Sequence, residues 1–110
     1  MTIADLIKRY GIEIDTPFRP AVYGPSMVPI AYKLHCQGRE LRGEMHADGT
    51  LTCEEVLSSL FLLADAGEEI GALNKQARSS ERGLKRLLGG LYEEFHTAYA
   101  QDKRYRKRER

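Results

Sequence analysis

Between Ile30 and Ala47 the chain alternates apolar and polar side chains with a period of two. Ile30, Tyr32, Leu34 and Cys36 are interleaved with Ala31, Lys33, His35 and Gln37. That period marks a strand with one buried face. Gly38-Arg39 follows as a turn, and glycine at the first central position suits a two-residue type II′ loop that folds the chain back on itself. This turn sets Cys36 opposite Leu41, Leu34 opposite Gly43 and Tyr32 opposite Met45 on a mostly apolar face. The other face then pairs Gln37 with Glu40, His35 with Arg42 and Lys33 with Glu44, the last of opposite charge.

Upstream, Ile3, Leu6, Ile7 and Tyr10 recur at helical spacing behind a Thr2 cap and ahead of a Gly11 stop. Ile12 and Ile14 alternate with Glu13 and Asp15, predicting an edge strand over residues 12 to 16, with residues 21 to 23 as a second candidate. All four prolines fall between Pro17 and Pro29, so any strand in that segment belongs at a sheet edge. The result is a three-stranded antiparallel sheet. Downstream, Asp48-Gly49 is a turn, and Thr52 with Glu55 forms a capping box. The helix it opens carries Val56, Leu57, Leu60, Phe61, Leu62, Leu63 and Ala64 around more than one stripe. It is therefore expected to be the most buried element, laid across the sheet and stopped at Gly67.

A second helix is expected from Glu68-Glu69, with Leu73, Ala77, Ser80, Leu84, Leu87 and Leu91 turned to the core. Gly89-Gly90 should break it. Leu91, Tyr92, Phe95 and Tyr99 then form a last amphipathic helix. The fold class is α+β: a central hairpin at about 30–47 packed by an N-terminal helix and two to three C-terminal helices, as one domain over residues 1–102. At 110 residues a second domain has little room.

The net charge of +1 conceals an asymmetry. Residues 103–110 hold six Lys or Arg and one Glu, +5, whereas the rest has eleven basic and fifteen acidic side chains, −4. This segment is expected to be a disordered basic tail. No apolar run approaches the ~20 residues needed to cross a bilayer, and the N-terminus lacks the pattern of a signal peptide. A cytoplasmic protein with reduced Cys36 and Cys53 and no membrane partner is the expectation.

Chemistry is sparse. His35 and Cys36 are adjacent in a strand and point to opposite faces, and no C-x-x-C or H-E-x-x-H spacing exists, so no metal site is expected. The paired glutamates 54/55, 68/69 and 93/94 lie near helix starts, where the macrodipole accounts for them. Without a glycine-rich phosphate loop or a recognisable nucleophile arrangement, the chain reads as non-enzymatic and free of cofactors.

The basic features are the functional signal. On the second long helix Lys75, Arg78, Arg82, Lys85 and Arg86 fall on the side opposite the core. Lys103, Arg104, Arg106, Lys107 and Arg108 follow in the tail. Such cations can track phosphates or an acidic protein surface, or can be an ordinary solvated face. The polar side of the sheet, with Lys33, His35, Arg42 and Glu44, is the next candidate surface. A helix-turn-helix is disfavoured by the length of the second helix.

The runs TIADLIKRYGI, TCEEVLSSL and LKRLLGGLYEEF, with the hairpin between them, resemble small uncharacterised proteins carried by bacterial prophages and mobile elements. The resemblance implies a compact, non-enzymatic viral or mobile-element protein in a bacterial host cell. Such proteins often block host machinery, including CRISPR and restriction systems. Two functions follow as expectations: an inhibitor that occupies a host protein or ribonucleoprotein complex, or a DNA- or RNA-binding accessory protein that uses the helix stripe and tail.

Overall fold

In the computed structural model the chain has the order α1 (Ile3–Tyr10), β1 (Glu13–Asp15), β2 (Val28–Cys36), β3 (Arg39–Ala47), α2 (Cys53–Glu69), α3 (Lys75–Leu88), a 3₁₀ turn (Gly89–Leu91) and α4 (Tyr92–Arg108). The structure describes residues 1–16, 28–47, 51–69 and 75–108, the side chains of Val28, Ala47, Glu68, Glu69 and 103–108 excepted. The expected strand at 21–23, the Asp48-Gly49 turn, Leu73 and residues 109–110 lie outside that set.

Local chemistry explains the element ends. Thr2 Oγ1 accepts from the Asp5 N–H, the Asp5 carboxylate accepts from the Thr2 N–H, and Gly11 closes α1 in the left-handed region. At α2 the Glu55 N–H donates to Thr52 Oγ1 at 3.2 Å. Three antiparallel strands lie in the order β1-β2-β3, so the fold is the α+β class expected. Pro29 sits in β2, but β1 reaches only residues 33–35. Among the described residues, Pro29 therefore has a strand neighbour on the β3 side alone, where its missing N–H is tolerated.

The hairpin register differs from the expected one by two residues. Cys36 faces Arg39, Leu34 faces Leu41, Tyr32 faces Gly43 and Ile30 faces Met45. Gln37 and Gly38 are the central turn residues, at φ 50° and 82°, the two positive values of a type I′ loop. Glycine is thus used at the second central position, not the first. Gly43 explains the choice: a Cβ there would come within 2.7 Å of Tyr32 Cζ, so the phenol ring fills the space that glycine leaves. A slip of two preserves parity, and the apolar face survives intact. The polar pairing changes: Lys33 now faces Arg42 instead of Glu44, and His35 faces Glu40.

The core holds Leu34 of β2, Leu6 of α1, Val56, Leu57 and Phe61 of α2, Leu84, Leu87 and Leu88 of α3, and Phe95 of α4. Two helix expectations are corrected. Gly67 is inside α2, where a Cβ would overlap the Ala77 methyl, so it marks a close crossing with α3 and not a stop. Glu68-Glu69 end α2 instead of opening the next helix, which begins at Lys75. It is α3 that lies against β3, with Gly83 facing Leu41. On α2 only one stripe is buried, leaving Leu62 and Leu63 exposed. Gly89-Gly90 do break the helix. The last helix, α4, runs from Tyr92 to Arg108.

Candidate nucleic-acid interface

Residues four apart on a helix drift by only about 40° per step, and Arg78, Arg82 and Arg86 are so spaced. Along the axis each step advances ~6 Å. Lys75 falls on the same side, one turn before Arg78. These four line a groove of about 520 Å³ together with Ser79 and Gly83 of α3 and Leu41 and Arg42 of β3. Among the described lining residues there is no carboxylate. The groove exists because α3 lies close on the edge strand: a Cβ on Gly83 would come within 2.9 Å of Leu41 Cδ1. Leu41 is buried beneath, whereas its neighbour Arg42 is exposed and adds a cation from a second element.

The far end of the groove helix is fixed from the sheet. Arg39 Nε donates to the Leu87 carbonyl at 2.7 Å, and Nη2 donates to the Leu88 carbonyl at 3.3 Å and to Gln37 Oε1 at 3.3 Å. A guanidinium on the last carbonyls of α3 places a charged donor at the negative end of the helix. Near β3, Arg42 Nε donates to Glu40 Oε2 at 2.6 Å, which holds the Glu40 carboxyl below the usual carboxylate range.

Lys85, expected in the same stripe, points elsewhere. Its ammonium is 2.7 Å from Glu81 Oε1 and 5.4 Å from the Tyr92 ring centroid, and the Glu81 hydrogen bond raises its pKa. Lys85 is about 60° round the helix from Arg82, on the side where Glu81 and α4 lie, which accounts for the departure. Lys103, Arg104, Arg106, Lys107 and Arg108 have helical backbone in α4, and their side chains are outside the described set. Arg42 was legible only as part of the sheet's polar side; its place beside α3 depends on tertiary packing. The usable signal was the alternation of cations with small residues, Arg78-Ser79 and Arg82-Gly83, on one helix face.

Elsewhere, the Cys53 thiol lies 3.6 Å from the Ile12 carbonyl and burial pushes its pKa up, while Cys36 is buried in β2. Among the described residues no three His, Cys, Asp or Glu side chains converge on a metal position. No described helix is long and apolar enough to cross a membrane. Comparison with protein-family models, with curated proteins and with solved structures gives no match.

Proposed function

We propose that this chain is a non-enzymatic binding protein that engages a polyanion through the α3–β3 groove, and that the polyanion is the phosphate backbone of a nucleic acid. The observation that carries the reading is the convergence of Arg42 from β3 with Lys75, Arg78, Arg82 and Arg86 from α3. Cations on one helix alone describe any solvated amphipathic face. A cation from a separate element in the same groove does not follow from helix periodicity. Arginine dominates the set, and its planar fork matches phosphate oxygens bidentately; the Ser79 hydroxyl adds a donor of the kind common at phosphates. Contacts of this type give affinity without base readout.

The test is retention on duplex DNA and on heparin in a salt gradient, comparing wild type with an Arg78→Glu/Arg82→Glu/Arg86→Glu variant. The variant should elute early while keeping a native circular-dichroism spectrum, since all three side chains are exposed. Equal retention would reduce the groove to a solvated face.

A second reading is occupation of a host protein or ribonucleoprotein complex, such as a CRISPR-Cas assembly, by a mobile-element inhibitor. Leu62 and Leu63 favour it: they are 55% and 37% exposed on α2 and offer apolar area to a protein partner. For an acidic protein surface, loss of groove charges should slow association with little change in dissociation.

A further inference from the structure

We propose that Glu40 sets the affinity of the α3–β3 groove by competing with the ligand for Arg42, as an intramolecular anion on a groove cation that comes from the sheet. The inference rests on the reading of the groove as a polyanion site.

Glu40 and Arg42 are two apart on β3, so their side chains leave the same outer face of the sheet as neighbours. Their contact is a short, charge-assisted hydrogen bond from Arg42 Nε to Glu40 Oε2 at 2.6 Å. Cross-strand placement reinforces it. Arg42 faces Lys33 and Glu40 faces His35, and Lys33 and His35 both lower the Glu40 carboxyl pKa along with Arg42. A like charge opposite Arg42 makes a nearby carboxylate its natural counterion. Arg42 nevertheless belongs to the groove lining, whereas Glu40 does not. Arg42 thus lines the groove while its guanidinium is paired with an internal carboxylate.

Two consequences follow for the ligand. A single small anion arriving at Arg42 would exchange one exposed ion pair for another and gain little. An extended polyanion already anchored on Arg82 and Arg86 presents its next charge to Arg42 at high effective concentration, and can replace Glu40 without further translational loss. Glu40 therefore favours chains of charge over isolated ones.

The experiment measures the dissociation constant of a short labelled DNA duplex at fixed low salt for wild type, Glu40→Gln, Glu44→Gln, Arg42→Ala, Arg82→Glu and the double variant Glu40→Gln/Arg42→Ala. Glu40→Gln should tighten binding about two- to fivefold, the range expected from releasing an exposed ion pair. Glu44→Gln, which removes the same charge from the same strand, should tighten it less, and the gain from Glu40→Gln should fall to that of Glu44→Gln once Arg42 is alanine. Equal affinities of wild type and Glu40→Gln, equal gains from Glu40→Gln and Glu44→Gln, or a Glu40→Gln gain that is undiminished without Arg42 would each overturn the role of Glu40. The groove itself is tested separately by Arg82→Glu, whose loss of binding supports the underlying reading and whose undiminished binding defeats it.

Discussion

Arg39 and the Leu87 carbonyl are joined by a 2.7 Å hydrogen bond that ties the first residue of β3 to the end of the groove helix. The guanidinium also nearly touches Gly89, where a Cβ would lie 2.7 Å from Nη1, so the 3₁₀ turn that follows α3 is shaped around this side chain. Replacing Arg39 with alanine leaves the last carbonyls of α3 without their charged donor. The expected loss is about 1–3 kcal/mol of stability in urea denaturation. Gln37→Ala, which removes only an exposed 3.3 Å contact, should change stability by less than about 0.5 kcal/mol.

The crossing of α2 and α3 gives a prediction of opposite sign to helix propensity. Gly67→Ala would stabilise an isolated helix by about 1 kcal/mol. Here the added methyl overlaps Ala77, so the variant should instead be destabilised by about 1–3 kcal/mol, read from the urea midpoint at unchanged slope. A stabilised Gly67→Ala protein would mean that the two helices do not meet there.

Leu34 is fully buried at the centre of β2, and Lys33 beside it faces the outer side of the sheet. Leu34→Asp puts an unpaired carboxylate in the core and should abolish the cooperative unfolding transition. Lys33→Ala should keep it, with stability within about 0.5 kcal/mol of wild type, because Lys33 opposes the like charge of Arg42 on one side and the opposite charge of Asp15 on the other.

Tyr10 donates its hydroxyl to Glu94 Oε2 at 2.8 Å, tying α1 to α4, and that bond raises the phenol pKa above its ordinary value. The unfolded chain loses this proton first as pH rises past about 10. Above that point the unfolded state binds fewer protons than the folded one, so stability falls with pH until the folded phenol also ionises. The hydrogen bond's contribution is complete below pH 10 and lost above it. Tyr10→Phe, which never had it, should show a shallower alkaline decline in thermal midpoint than wild type; parallel curves would show that the bond contributes nothing.

Much of the fold was legible because it is written in local chemistry. Thr2, Gly11, Thr52 and Glu55 specify helix ends through their own hydrogen bonds, and the period-two run from Ile30 specifies the hairpin faces. The register was not legible in the same way. A single glycine in Gln37-Gly38-Arg39 suits either of two turn types, and the deciding feature, the Tyr32 ring over Gly43, lies on the opposite strand. Gly67 was misread for a similar reason: glycine ends helices and also lets them cross, and only the position of Ala77 separates the two. Of the site, the α3 cations follow from helical periodicity. Arg42's share in the groove and Lys85's departure toward Glu81 depend on which neighbours α3 acquires in three dimensions.

The groove reading is tested most directly by the salt dependence of binding to a labelled DNA duplex. Each phosphate contact contributes about −0.9 to the slope of log affinity against log salt. Arg82→Ala should weaken binding and flatten the slope by about one unit, and Arg82→Ala/Arg86→Ala by about two, while Lys85→Ala, outside the groove, changes neither. Slopes and affinities of both arginine variants that match wild type would contradict the claim that the α3–β3 groove holds a phosphate backbone.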